Sequence, residues 1–577
     1  MKITDNAITV LQKRYFKEGE DWDKLVRRVV NAITENSQLR EAYYNAIFNL
    51  ELLPNTPTLV NAGTSMQQLS ACYVLPVEDN IPSIFDAVKN AAIIHKSGGG
   101  TGFSFSKLRE SGDSVKTTNG VSSGPVSFMR VFNEATGAIK QGGVRRGANM
   151  GILNIDHPDI EEFIKCKADT TQLTNFNISV GITDKFMEAE KYDEEFDLIS
   201  PRTGERVGTA KARYLLELIA TYAHKNGEPG IIFLDRINRD NPTPHIGDIA
   251  ATNPCGEIPL LPNEACNLAS INLNAVIKDK QILWDKLDQL SRVGTIMLND
   301  IIDANAFPLP EIAEAVKATR KIGLGVMGWA DMLIKLRLPY NSEEARKLAS
   351  EVMERIQFTA LKTSEELVKY FGAYPECNGV MRRNATVTCI APTGTISMIA
   401  GCSSGIEPVF SLSYTKTVMD GEEIVYINDQ LKTDLEALGL WSDKVEKEIR
   451  KTGSIQHIDN IPEDIKRVYM TAQEIGWLDH INMQAEFQRF CDNAVSKTIN
   501  MSKHAPIEDV LSAYWCAWNA GLKGITVYRD GSRESQVLSI GYKPKDIKYS
   551  KCPECSSQIE HAEGCVTCKS CGWAVCN

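Results

Sequence analysis

The chain has 577 residues, 43% hydrophobic and 24% charged, with a formal net charge of −11. That length carries a large core and leaves room for several average domains or one large barrel. The acidic balance argues against a nucleic-acid-binding body, and no run of about eighteen apolar residues marks a membrane span. The start, Met1-Lys2-Ile3-Thr4-Asp5, lacks the apolar stretch of an export signal.

Residues 1–50 read as a helical segment, because Val26, Val29, Val30 and Ile33, then Ala42, Ala46 and Leu50, recur at helical spacing. Asn55-Thr56-Pro57-Thr58 is a hydroxyl-rich turn. Residues 67–75 read as a buried strand carrying Cys72, with Asp79 just beyond it. A helix is expected over 82–95, followed by Ser97-Gly98-Gly99-Gly100-Thr101-Gly102. Such a glycine cluster lets backbone N–H groups approach an anion or a cofactor. Its spacing is neither a P-loop nor a dinucleotide fingerprint, and a plain tight turn reads equally well.

Arg145 and Arg146 stand in a glycine-rich loop, where their guanidinium forks suit phosphate and a solvated basic loop is the bland alternative. Residues 167–177 form a polar loop before a strand over 178–182, and a helix is expected over 208–225. Then comes Asn253-Pro254-Cys255-Gly256-Glu257, with Cys266 a short way on. In an extended segment Asn253, Cys255 and Glu257 would share a face. Pro254 and Gly256 argue for a stiff, tight loop. An amide, two thiols and an acid suit redox or radical chemistry, against the commoner reading of two small buried cysteines. Long helices are expected over 284–305 and 342–371. A buried strand over 386–391 runs into Pro392-Thr393-Gly394-Thr395-Ile396, a candidate phosphate cradle if it opens a helix. Gly405-Ile406-Glu407-Pro408 follows, then a strand-like run over 409–414, and the body ends at Gly521 to Arg529.

Six of the fifteen cysteines lie in the last 26 residues. In a chain without an export signal they indicate a reducing, cytoplasmic compartment and metal or redox chemistry. Cys552 with Cys555 and Cys568 with Cys571 form two C-x2-C knuckles, the pattern of a four-thiolate zinc ribbon. Cys565 and Cys576 are left over as a mobile redox pair. Spacing does not fix which four hold the metal, since Cys565 with Cys568 is also C-x2-C.

Taken in order, the stretches from Asn55 to Cys72, Ser97 to Phe105, Gln141 to Ala148, Asn253 to Asn274, Pro392 to Ser397 and Gly521 to Arg529 resemble the catalytic subunit of ribonucleotide reductases. The likeness is greatest to the adenosylcobalamin-dependent (class II) enzymes and covers the chain from about residue 10 to the tail. It implies an α/β fold, a ten-stranded α/β barrel of two five-stranded halves with a central finger loop. Residues 1–50 would be a helical segment, 51–535 the barrel, 536–550 a linker and 551–577 a cysteine-rich tail.

By the same resemblance Cys255 would carry a thiyl radical, Glu257 would act as base, and Asn253 would hold the substrate hydroxyls. Cys72 and Cys266 would be the reducing pair. Thr56, Ala71, Cys72, Gly100, the run Asn253, Pro254, Cys255, Gly256, Glu257, and the loop Pro392, Thr393, Gly394, Thr395, Ile396 would contact a ribonucleotide, expected as a diphosphate. Asp79, Arg109 and Lys116 would bind a deoxynucleotide effector at a homodimer interface, and the 167–177 loop would pass its identity to the active site. The family's N-terminal ATP-binding domain has no room here, so no overall on/off site is expected. Cys552, Cys555, Cys568 and Cys571 would bind zinc, while Cys565 and Cys576 would pass electrons from a thioredoxin-like dithiol. Cys571 with Cys576 is the alternative shuttle.

Where the iron-dependent enzymes have two adjacent tyrosines, this chain has Val527-Tyr528, and no C-terminal glycyl-radical sequence is present. Both features favour adenosylcobalamin, although the Asp-x-His-x-x-Gly cobalamin motif is absent. The alternatives are a catalytic subunit that needs a separate metallosubunit, and a non-catalytic nucleotide-binding regulator whose zinc tail docks a partner.

Overall fold

A computed structural model describes residues 3–115, 120–139, 147–417 and 423–532, and strands at 539–540, 560–562, 565–567 and 574–576. The expected helical start is three helices, Asp5–Arg14, Trp22–Ile33 and Ser37–Phe48. Thr4, Asp21 and Asn36 cap them by accepting from backbone N–H groups. Leu25, Val26, Val29, Val30 and Ile33 form the buried stripe of the second helix.

The core is a ten-stranded sheet. It contains β1 (Leu52–Pro54), β2 (Cys72–Val74), β3 (Gly100–Ser104), β4 (Asn149–Asn154), β5 (Phe176–Ile182) and β6 (Gly230–Phe233). The short strands β7 (Ala251–Thr252) and β8 (Pro259–Leu260) pair only with each other. The sheet resumes with β9 (Ala265–Asn272), β10 (Ile322–Met327), β11 (Thr498–Met501) and β12 (Gly524–Arg529).

Strands β2, β3, β4, β5 and β6 run parallel in that order. A second parallel set comprises β9, β10, the run at 386–390, β11 and β12. The 386–390 run is tied in by the bridges Leu324↔Thr388 and Ile390↔Val495. The two sets meet antiparallel at β6–β12 and at β2–β9, and β1 lies antiparallel on the same edge of β9 as β2. Two parallel halves joined at two antiparallel seams close the sheet on itself, so the expected barrel is present. Parallel strands covered on both faces should be apolar throughout, and β10, Ile-Gly-Leu-Gly-Val-Met, is buried at every position.

The expected strand at 67–75 shortens to β2, and the expected strand at 386–391 makes only bridges. The long helices fall at Trp284–Ala304 and Glu343–Phe371, as their periodicity predicts. Helices Asp429–Ala437, Asp443–Thr452 and Glu463–Val468 form a second core around Leu431, Leu435, Ile449 and Tyr469. The strand-like run expected at 409–414 begins later, as the strand Ser413–Thr417. Among the described residues no helix is long and apolar enough to cross a membrane.

Candidate active site

The finger is the β7–β8 hairpin, placed in the chain between the last strand of the first half and the first strand of the second. Its tip turns back on itself. Asn253 N donates to Ile258 O at 3.2 Å, and Gly256 N donates to Asn253 O at 3.0 Å. Asn253 Oδ1 accepts from Ile258 N at 3.0 Å, so this amide staples its own loop. Gly256 sits at φ +82°, where a side chain would strain the backbone. Against the barrel wall, a Cβ at Gly102 would lie 1.8 Å from Thr252 O, so β3 must carry glycine where the finger passes.

The turn corrects the extended reading. Asn253 and Glu257 are buried, 2% and 3% exposed, whereas Cys255 is exposed at the tip. An alternating strand would have put all three in one environment. The tip is tied to both halves of the barrel: Asn177 Nδ2 donates to Pro254 O at 2.8 Å, and Ala494 N donates to Glu257 O at 2.9 Å.

Cys72 and Cys266 are register partners across the β2–β9 seam. Opposed residues of an antiparallel pair have Cα atoms about 4.5–5.5 Å apart, within the span a disulfide bridges. Gly100 is the partner of Cys72 on its other side, which places three of the expected site residues in one row. Asn253 Nδ2 donates to Cys72 Sγ at 3.2 Å, joining the finger to the first thiol. Cys266 Sγ faces the carbonyls of Asn267 and Lys321, both at 3.5 Å. Burial, and then the nearby Glu264 carboxylate, push the Cys266 thiol well above the usual thiol range. Glu264 is itself saturated, accepting from Lys321 Nζ at 2.6 Å, Thr319 Oγ1 at 2.6 Å and Leu261 N at 2.7 Å.

Ala71, beside Cys72, donates its N–H to Cys266 O at 3.1 Å. Thr56 opens a short helix, and its hydroxyl bonds the Tyr15 hydroxyl at 2.9 Å. The Pro392–Ile396 loop follows the 386–390 run, whose Ile390 N bonds Ala494 O, next to the finger contact. Thr393 takes φ +53°, and its Oγ1 accepts from Gly405 N at 2.8 Å. Gly394 is exposed, and a Cβ there would meet no atom within 4 Å. The helix after the loop, Ile396–Ala400, is little more than one turn.

Asp79 and Arg109 come together as an ion pair, Arg109 Nε to Asp79 Oδ2 at 2.7 Å, both about a quarter exposed. Lys116, Arg145, Arg146, and Cys552, Cys555, Cys568 and Cys571 lie outside the described residues. Cys565 and Cys576 are register partners in a three-stranded antiparallel sheet over 560–562, 565–567 and 574–576.

Three arrangements were not read from the sequence. They are the Asn177 bond to the finger, the buried Lys321–Glu264 pair behind Cys266, and a buried cluster at Lys497. Lys497 Nζ donates to Glu407 Oε2 at 2.6 Å and meets His480 Nδ1 at 2.9 Å. For Lys321 the available signal was the apolar run 322–327 that follows it, whereas Thr498-Ile499-Asn500-Met501 after Lys497 gave none.

Residues 70–381 and 378–528 match the family described as ribonucleotide reductase, barrel domain, and residues 1–67 match ribonucleotide reductase, all-alpha domain. A vitamin B12-dependent ribonucleoside-diphosphate reductase of Thermoplasma acidophilum is 51% identical over 85% of this chain, which spans 65% of that relative's length. One of the same description from Mycobacterium tuberculosis is 44% identical over 95% of this chain and 80% of its own. The Actinobacillus ureae class Id ribonucleotide reductase alpha subunit shares the fold, with a TM-score of 0.79 at 24% identity over 92% of this chain and 97% of that one.

Proposed function

The chain belongs to the ribonucleotide reductase large-subunit family, and from that premise we propose that it reduces ribonucleoside diphosphates to 2′-deoxyribonucleoside diphosphates, with adenosylcobalamin as cofactor. The observation that carries the reading is the opposition of Cys72 and Cys266 across the seam, with Asn253 linking Cys72 to a finger whose tip exposes Cys255. Replacing a ribose C–O bond by C–H consumes two electrons and two protons, which two adjacent thiols supply as they close a disulfide. A third thiol is needed to activate the neighbouring carbon, and it must be open to substrate and cofactor.

The finger tip is open to an approaching group. Cys255 is exposed, and a Cβ at Gly256 would meet no atom of the described residues within 4 Å. Adenosylcobalamin, when bound, supplies a homolysable bond and hence a one-electron oxidant for a nearby thiol.

In this reading Cys255, as a thiyl, takes the 3′ hydrogen of the ribose. Glu257, fixed at the hairpin's return by Ala494, takes the 3′ hydroxyl proton as a positioned base. Asn253 orients the hydroxyls. The 2′ oxygen leaves as water with one proton from the dithiol. The dithiol then gives a hydrogen atom to the 2′ carbon and an electron to the 3′ centre as Cys72 and Cys266 join, and Glu257 returns its proton to the 3′ oxygen. Cys255 then returns its hydrogen to the 3′ carbon. Thr56, Ala71, Gly100 and the Pro392–Ile396 loop hold the substrate, the loop offering backbone N–H groups to phosphate.

Asp79, Arg109 and Lys116 bind a deoxynucleotide effector, and a homodimer forms there. The helix Ile81–Lys96 supports this by exposing Ile81, Phe85 and Ile93 to 57%, 50% and 39%. The tail binds zinc through Cys552, Cys555, Cys568 and Cys571, and Cys565 with Cys576 relays electrons from an external dithiol protein. Their cross-strand register supports that pairing.

The test is an anaerobic assay of the four ribonucleotides, as di- and triphosphates, with the lone chain, adenosylcobalamin and a small dithiol. Deoxynucleotide product is expected from wild type, and Cys255→Ala is expected to give none. Full turnover by Cys255→Ala would falsify the reading. A requirement for a second, metal-bearing subunit would replace the cofactor assignment.

A further inference from the structure

The finger tip, Pro254 to Glu257, carries the one exposed thiol of the site, and bonds from both halves of the barrel reach it. One runs from Ala494 N to Glu257 O, backbone to backbone, from the second half of the barrel. Another is the Asn177 side chain on Pro254 O, at 2.8 Å, from the first half. Cys255 lies between these two anchors. A carbonyl next to Cys255 in sequence is thus gripped by a single amide N–H whose removal leaves the rest of β5 intact.

Asn177 is also the last residue of the 167–177 loop, and the loop is fastened at both ends. At its start Lys167 pairs with Glu228 and reaches Phe176 O, and Asn226 Nδ2 donates to Lys167 O at 2.7 Å. At its end Asn175 makes two bonds to Asn133, N to Oδ1 at 3.0 Å and Nδ2 to O at 2.9 Å. Asn149 N and Nδ2 both donate to Asn175 O, at 2.9 and 3.2 Å. Asn149 continues through Thr101 Oγ1 at 2.8 Å to His95 Nε2 at 2.9 Å, on the helix Ile81–Lys96. The middle of the loop, residues 169–172, is exposed. A buried polar chain of this kind links the loop's exit, two residues before Asn177, to the helices Ile81–Lys96 and Gly124–Ile139.

We propose that Asn177 is a positioning residue, the clasp through which the 167–177 loop and the first half of the barrel set where the Cys255 thiol stands. The bond orients a peptide group, and the peptide group orients the thiol, so the clasp acts on the reacting atom without touching substrate. In the reductase reading, on which its catalytic consequence rests, the clasp ties effector state to the radical cysteine itself and not only to the choice of base.

Two variants separate this from a structural role. Asn177→Asp has the same size but lacks the N–H and sets a charge against the Pro254 carbonyl. Asn177→Ala removes the bond outright. Each is expected to lower kcat about tenfold or more with KM changed less than about threefold, because a lost hydrogen bond and a misplaced reacting group act on the chemical step. The second readout needs no turnover. Alkylation of Cys255 by iodoacetamide, mapped by mass spectrometry, is expected to change at least about threefold in both variants while the melting temperature stays within a few degrees. Alkylation and kcat within twofold of wild type in both variants overturn the proposal. A raised KM with unchanged alkylation also overturns it, since that is substrate contact. Failure of wild type to turn over sinks the reductase reading instead, and the alkylation comparison still decides the clasp.

Discussion

His95 is neutral in the folded protein, and its neutrality has a pH signature. Its Nε2 meets Thr101 Oγ1, and Thr101 gives its own hydrogen to Asn149 Oδ1 at 2.8 Å, so Nε2 carries the proton. The ring is 2% exposed, and burial pushes its pKa down from 6.5 to about 4. Unfolded, the ring takes a proton near 6.5, so between 6.5 and 4 the unfolded state binds more protons. The stability His95 contributes is therefore complete above pH 6.5 and lost as pH falls toward 4, on the order of 3 kcal/mol in all. Wild type is expected to lose more stability between pH 7 and pH 4.5 than His95→Gln does, measured by urea denaturation. Equal losses would count against this account. His95 was not legible as a partner of the site, because a lone histidine beside a glycine cluster reads as readily as a surface residue. Asn253, Cys255 and Glu257 were legible as a set, since few folds need an amide, a thiol and an acid so close. Their division into buried and exposed was not, because it follows from the turn that Gly256 makes at φ +82°.

Lysines stand immediately before three strands of the second half: Lys321 before β10, Lys497 before β11 and Lys523 before β12. They are 1%, 4% and 3% exposed, and each meets an acid, Glu264, Glu407 and Asp240 respectively. A buried cation without its partner is costly, while the intact pair is close to neutral against an apolar replacement. Lys321→Met is thus expected to destabilise by about 3–5 kcal/mol, because it leaves Glu264 buried and charged. The double variant Lys321→Met with Glu264→Gln should recover a substantial part, the amide still serving Thr319 Oγ1 or Leu261 N. Chemical denaturation of the three proteins checks this, and a double variant no more stable than the single one would show that the pair is not the cause. Periodicity made the long helices legible nearly to the residue. It could not place these lysines, because a cation at a strand's start looks like a solvated end until an acid distant in sequence packs against it.

The barrel's closure depends on segments that hydropathy alone would not join, since the 386–390 run is held by single bridges on each side. The second core, over 409–475, was missed for a related reason: its helices were ordinary in pattern, and only packing shows that they bury Leu431, Leu435 and Ile449 among themselves. This small core also bears on the tail. The strand Ser539–Ile540 pairs with Tyr414 and Thr415, adding an edge to the hairpin 413–427. Anchored there, the chain has 24 residues between Ile540 and Cys565, enough to span at most about 80 Å when extended. A tail that reaches the β2–β9 seam from a fixed post has a high effective concentration there and needs no docking surface of its own. Ending the chain after Ser532 removes the post and every tail cysteine while leaving β12 complete. On the proposed function, the shortened chain is expected to keep turnover within about twofold of wild type with a small dithiol, which diffuses to Cys72 and Cys266, and to lose it with a protein reductant too large to enter. About one zinc per chain should vanish with the tail in elemental analysis, as expected for a four-thiolate site. Undiminished turnover with the protein reductant would mean that the Cys72–Cys266 disulfide is reduced directly, and that the tail serves some other end.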